Sequence, residues 1–215
     1  MAETTPSRSP DVERQQRFQA IYEQNGWSGR VSKSGRGSDP ENTHFVLKIL
    51  ASWFHELRPF VVMDLGCGDW VWMKDLPYHG HTYVGVDIVP SLIARNRELH
   101  GIAGKIEFVC MDAVGKALPE IDGVVLIRDV LPHLYLREIS SVINNIRRSG
   151  ATHLIGTTFP SVGLNRELRR QKWRPLNMEK PPFDLGEPIS LVSENYRSPD
   201  GTLTDKSLGL WEVRP

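Results

Sequence analysis

The chain has 215 residues, 40% of them apolar and 24% charged, and its 26 basic and 26 acidic side chains cancel to a formal net charge of zero. That length suits one domain with a full hydrophobic core, and the charge balance gives no sign of a strongly basic nucleic-acid surface. No uncharged apolar run reaches the length of a membrane span, and Cys67 and Cys110 read as buried, reduced thiols of an intracellular, cytoplasmic protein rather than as a metal-ligand pair.

Residues 1–10 are polar, contain two prolines and are expected to be a disordered tail with no secretory signal. Residues 11–24 place Phe18, Ile21 and Tyr22 on one face of a helix. The following NGWSGRVSKSGRGSDPENT is rich in glycine and serine and reads as a long loop or lid. Ser38 or Asp39 can cap a second helix with Pro40 in its first turn, and Val46, Ile49, Leu50, Trp53 and Leu57 continue it at helical spacing. These segments, residues 11–58, are expected to form N-terminal helices and a lid ahead of a core domain at 59–215.

From residue 59 strands and helices alternate. PFVVMDL, HTYVGVDI, KIEFVCMD, DGVVLIRD and THLIGTTF read as strands. Between them a short helix is expected from Asp69 to Leu76, a second in SLIARNRELHG, and an amphipathic third in LREISSVINNIRRSG with Gly150 as its C-cap. Such alternation implies right-handed crossovers and a parallel sheet. The tail differs: PISLVSENY and LGLWEVR flank SPDGTLTDK with no helix between, the pattern of an antiparallel pair at a sheet edge. The expected fold is α/β, a doubly wound sheet of seven strands, mostly parallel with an antiparallel last strand.

In such sheets ligands bind beyond the carboxyl ends of the strands. Four of the five ends carry an acid, Asp64, Asp87, Asp112 and Asp129, and the fifth carries Thr157 and Thr158. Acids there disfavour a phosphate-rich ligand and suit one with a positive centre and free hydroxyls. The first end is VVMDLGCGDW, in which Gly66 and Gly68 let backbone approach a ligand closely. A third glycine would be needed for a dinucleotide turn, and Val71 stands there instead. Asp87 can accept both protons of a ribose diol, and Asp112 sits where an adenine amino group would arrive.

Taken together, VVMDLGCGDW, YVGVDIV, FVCMDA and DGVVLIRDVLPHL resemble the motifs of class I S-adenosylmethionine-dependent methyltransferases, in order and spacing. The resemblance implies a Rossmann-like methyltransferase fold, with Asp64, Gly66, Cys67, Gly68, Asp87, Ile88, Asp112, Ala113 and Arg128 around S-adenosylmethionine. Asp64 would suit its ammonium, and backbone N–H groups or Arg36 its carboxylate. More loosely, Tyr22, Trp27 and Ser34-Gly35-Arg36-Gly37-Ser38 resemble small methyltransferases with an N-terminal lid over the cofactor.

In this class the residues after the fourth strand face the methyl acceptor. Asp129-Val130-Leu131-Pro132-His133 departs from the N/D-P-P-Y/F motif of enzymes that methylate nucleic-acid amines. Asp129 and His133 are the catalytic candidates, one orienting the acceptor and the other taking its proton; a helix cap and a packed histidine are the alternatives. Arg166, Arg169, Arg170, Lys172 and Arg174 form either a substrate-recognition surface or a solvated helix face. Phe183 is expected to close the acceptor pocket. The expected reaction is methyl transfer to oxygen or nitrogen of a small molecule, with no metal, no membrane partner and no expected nucleic-acid partner. A protein or RNA acceptor, or a silent binding module, are the alternatives.

Overall fold

The computed structural model describes residues 9–77, 80–169 and 173–213, and the expected N-terminal tail therefore lies outside it except for Ser9 and Pro10. Its strands are β1 (Val61–Leu65), β2 (Thr82–Asp87), β3 (Ile106–Cys110), β4 (Gly123–Ile127), β5 (His153–Thr158), β6 (Ser190–Ser193) and β7 (Ser207–Glu212). They form one sheet in the order β3-β2-β1-β4-β5-β7-β6. The first five run parallel, and β7 pairs antiparallel with both β5 and β6. Strand order reverses beside β1, since the chain moves outward to β2 and β3 and then crosses back to β4. That switch point opens a crevice at the carboxyl end of β1.

Side chains alternate across the sheet with period two. Val62, Val124, Leu126 and Ile155 face α2 (Pro40–Leu57) and α3 (Pro90–His100). Met63, Leu65, Val125 and Ile127 face α4 (Leu136–Arg148), which contributes Ile139, Val142, Ile143 and Ile146. Helices thus cover both faces, as a buried parallel sheet requires. Among the described residues no helix is long and apolar enough to cross a membrane.

Three local expectations are corrected. No α-helix follows the glycine turn: Asp69–Leu76 holds turns and a single 3-10 turn at Met73–Asp75. The reason is Trp70, whose backbone is left-handed (φ 57°) and whose ring packs against Tyr83 and Phe108 at 5.6 and 5.4 Å, so aromatic anchoring replaces helical hydrogen bonds. Asp39 precedes α2 but does not cap it through its side chain. The buried carboxylate turns back to accept N–H bonds from Arg30, Val31 and Ser32 at 3.0, 2.8 and 2.9 Å, which shapes the preceding loop. Cys67 is buried, but Cys110 is exposed because β3 is the edge strand of the sheet.

Candidate active site

β1 runs into a turn in which Gly66 and Gly68 adopt left-handed conformations (φ 77° and 58°). A side chain at either place would also collide, with Val130 at Gly66 and with Ser34 at Gly68. The turn is anchored from behind. The N–H groups of Gly66 and Cys67 donate to Val86 O at 2.7 and 3.1 Å, and the buried Asn96 of α3 donates to Gly68 O at 2.8 Å.

Two acids flank this turn. Asp64 is buried and accepts a 2.7 Å hydrogen bond from the Tyr83 hydroxyl; burial pushes its pKa up to about 7. Asp87 accepts N–H bonds from Gly68 at 3.2 Å and Val89 at 3.0 Å. Burial raises its pKa too, against those hydrogen bonds. The same carboxylate therefore joins the glycine turn to the start of α3.

Asp112, just beyond β3, is already engaged. One oxygen accepts the Val114 N–H at 3.0 Å, and the other is ion-paired with Arg14 of α1 (Pro10–Glu23). Arg14 is itself buried and donates through Nε to Glu138 of α4 at 3.0 Å. α1 makes further bonds from Gln15 to Ile88 O at 3.2 Å and from Gln19 to Ser91 at 2.8 Å. It thus lies across the carboxyl ends of β2 and β3. An adenine contact by Asp112 must share that carboxylate with Arg14.

The loop after α1 covers the glycine turn. Ser32 Oγ and Lys33 N–H donate to the Asp69 carboxylate at 2.7 and 2.8 Å, and Ser34 Oγ accepts the Asp69 N–H at 2.8 Å. Trp27 stacks on Phe18 and meets His133 edge-on.

The far wall comes from the segment after β4. Asp129 adopts a left-handed backbone (φ 61°), held by its N–H bond to Thr157 Oγ1 at 2.9 Å. Its carboxylate takes Lys206 Nζ at 2.6 Å and Arg128 NH1 at 3.4 Å. Burial alone would raise the Asp129 pKa, but Lys206 and Arg128 bring it down to about 2. Asp129 is not a helix cap. Pro132 and His133 belong to a 3-10 turn, Leu131–His133, which Arg174 supports by donating to Pro132 O at 2.8 Å.

One cavity is lined by Asp64, Gly66, Cys67, Gly68, Asp87, Ile88, Asp112, Ala113, Arg128, Asp129 and His133, with Arg14, Phe18, Tyr22, Trp27 and Trp72 completing its walls. Of the residues singled out from sequence as cofactor-binding or catalytic, Arg36 alone is not in the lining; it is hydrogen-bonded to Tyr196. Phe183 is buried in the core around α4 and does not close the pocket. The basic stretch after β5 is not a solvated helix: Arg166 and Arg169 lie in irregular chain, Arg174 is buried, and Arg170 and Lys172 lie outside the described residues. Arg14, Asp69, Glu194 and Lys206 join the site without having been expected from the sequence. A lone arginine in a polar helix carries no periodic signal, and the Glu194–Lys206 pair is visible only once β6 and β7 are paired.

The comparisons agree with this geometry. Residues 62–151 match the family model described as a methyltransferase domain. No curated protein matches the chain. Among solved structures, magnesium protoporphyrin IX methyltransferase from Synechocystis PCC 6803 with bound S-adenosylmethionine superposes with a TM-score of 0.68 at 16% identity, over 98% of this chain and 100% of that one. The 1,6-didemethyltoxoflavin-N1-methyltransferase of Burkholderia thailandensis gives 0.67 at 17% identity, over 99% and 93%. The N-methyltransferase NodS of Bradyrhizobium japonicum WM9 gives 0.68 at 14% identity, over 91% and 99%. Residues 62–151 are thus similar to a methyltransferase domain, and the chain carries the fold of the class I S-adenosylmethionine-dependent methyltransferases.

Proposed function

We propose that this chain transfers a methyl group from S-adenosylmethionine to an oxygen or nitrogen atom of a small-molecule acceptor, with residues 11–58 supplying N-terminal helices and a lid loop to a catalytic core at 59–215. The observation that carries this reading is that Asp129 and His133 line the same cavity as Asp64, Gly66, Gly68 and Asp87, under a roof of Phe18 and Trp27. The cavity suits the donor chemically. Asp64 is a buried carboxylate in want of a cation, which the amino-acid ammonium provides. Asp87 keeps acceptor capacity toward a ribose diol beside its two N–H bonds. Gly66 and Gly68 hold the turn in left-handed conformations that place its backbone in the cavity wall.

When bound, S-adenosylmethionine supplies a methyl carbon that its sulfonium already makes electrophilic. The chain's residues then align, exclude water and manage one proton. Phe18 and Trp27 cover the cavity. Asp129, held ionised by its cations, accepts a hydrogen bond from the acceptor and orients it. So weak a base does not keep a proton, so His133, lining the same cavity, takes it. The magnesium protoporphyrin and didemethyltoxoflavin enzymes named above support a small acceptor by analogy of fold.

The test is transfer of tritiated methyl from S-adenosylmethionine into an extract of the producing cells, fractionated into small molecules, protein and RNA. Label in the small-molecule fraction supports the reading. Label confined to protein or RNA overturns it.

A further inference from the structure

Four ionised side chains meet behind the acceptor wall. Arg128 forms two bonds with Glu194, Nε to Oε1 at 3.2 Å and NH2 to Oε2 at 2.6 Å. Lys206 Nζ lies 2.6 Å from Asp129 Oδ2 and 3.2 Å from Glu194 Oε2. The ring of Trp72 lies beneath Arg128, and that of Tyr196 beneath Lys206. Side-chain exposure is 3% for Arg128, 0% for Glu194 and 4% for Lys206, but 24% for Asp129. Asp129 is therefore the most exposed member of this network, and it lines the cavity together with Arg128.

A buried ionic network contributes little net stability beside apolar residues of the same volume. This one is assembled from distant parts of the chain, with Glu194 just past β6 and Lys206 just before β7. The antiparallel pair at the sheet edge thus delivers a cation to the end of β4. The position is tight as well. Gly37 of the N-terminal loop passes over the ion pair, and a Cβ there would come within 2.6 Å of Asp129 Oδ2 and 3.3 Å of Lys206 Nζ.

Resting on the reading that Asp129 faces the acceptor, we propose that Lys206 is a positioning and specificity-determining residue for methyl transfer. It occupies Asp129 Oδ2, which leaves Oδ1 to accept one hydrogen bond, and it neutralises the carboxylate so that an uncharged hydroxyl or N–H compound is taken in preference to an ammonium. The four charges sum to zero, two cations against two anions, so the wall exerts no net pull on a charged acceptor. A positive acceptor would also stand beside the sulfonium with no unpaired carboxylate to offset the repulsion.

The groups facing Asp129 are Lys206 and Arg128, which ion-pair with it, and His133 and Tyr196, which interact with it electrostatically. Removing Lys206 takes away the nearest cation, so the Asp129 carboxyl should titrate higher. The test compares wild type with Lys206→Met and Lys206→Arg in three readouts. These are carbon-13 NMR titration of the Asp129 carboxyl, assigned with Asp129→Asn, calorimetric affinity for S-adenosylhomocysteine, and tritiated-methyl transfer into the small-molecule extract. The expected result for the methionine variant is an upward-shifted carboxyl titration, S-adenosylhomocysteine affinity within about threefold of wild type, and transfer reduced about tenfold or more. The arginine variant should recover much of both the titration and the transfer. If the methionine variant does not fold, Lys206→Gln, which keeps a hydrogen bond without the charge, replaces it. An unchanged Asp129 titration in the folded uncharged variant overturns the proposal whatever the acceptor is, and so does unchanged transfer. Wild-type enzyme that labels no small molecule overturns the acceptor reading instead, and the carboxyl titration still decides the part played by Lys206.

Discussion

Trp27 meets His133 edge-on, with ring centroids 5.7 Å apart and ring planes at 65°. The contact joins the glycine-rich loop ahead of α2 to the turn after β4, so the roof of the cavity packs directly on its proposed base. Replacing Trp27 with Ala is expected to lower transfer while leaving the core intact. The expected signature is faster limited proteolysis within residues 25–38, still slowed by S-adenosylhomocysteine. Equal cutting with and without that ligand in the wild type would count against a lid.

The Asp64 carboxyl gives a pH prediction with a definite sign. Its pKa in the free protein is about 7, so at pH 6 it is mostly protonated and cannot pair with the ligand's ammonium. Affinity for S-adenosylhomocysteine should therefore rise from pH 5.5 to 7.5, approaching about tenfold per unit at the acid end, with proton release on binding. Asp64→Asn should flatten the slope. Calorimetry in two buffers of different ionisation enthalpy measures the proton directly, and a zero proton count at pH 6 would exclude this role. For folding the sign is the reverse. A carboxyl whose pKa is raised by burial contributes stability that is present at low pH and lost as the pH rises through about 7.

Arg14 and Asp112 make a competing pair of predictions. If the ion pair holds α1 over the strand ends, Arg14→Met should increase hydrogen exchange in α1 and weaken S-adenosylhomocysteine binding. Stability should fall by up to ~3 kcal/mol, because Asp112 and Glu138 lose their buried partner. Tighter ligand binding in this variant would instead mean that Arg14 and the adenine compete for Asp112.

The strand ends were legible because four acids and two glycines recur at the ends of apolar runs, and an acid that closes a buried parallel strand must find a partner or a ligand there. The mostly parallel sheet and its antiparallel last strand were legible from the alternation of elements and from a helix missing between two strand-like segments. Asp69–Leu76 misled because strand–helix alternation calls for a helix after the first strand, whereas a left-handed tryptophan is set by its packing partners rather than by any local pattern. Arg36 misled because a basic residue in a glycine loop can turn either way, and Tyr196, which it meets, is 160 positions along the chain. Phe183 misled because an aromatic after two prolines signals a rigid segment and not the side on which the ring is buried.

Asp87 carries a simpler expectation. Asp87→Ala removes a charge-assisted partner of the ribose and should weaken S-adenosylhomocysteine binding by ~1.5–3 kcal/mol. It also removes the acceptor of the Gly68 and Val89 N–H bonds, so melting temperature must be measured beside affinity. A folded variant with wild-type affinity would remove Asp87 from the nucleoside site.

His133→Ala should lower kcat by ~10²–10⁴ if the imidazole takes the acceptor proton, with S-adenosylhomocysteine affinity nearly intact. Loss of stability with near-normal turnover in the folded fraction would mark it as a packing residue under Trp27. A stable variant with wild-type kcat would leave alignment by Asp129 as the whole contribution of this wall.

The central claim is that donor and acceptor meet in the one cavity between the glycine turn and the Asp129–His133 wall. A crystal structure with S-adenosylhomocysteine tests it most directly. The account predicts the ribose hydroxyls on Asp87, the ammonium at Asp64, and the sulfur facing Asp129 and His133 across open space. A ligand seated with its sulfur turned away from those two side chains, or with its ribose remote from Asp87, would contradict it.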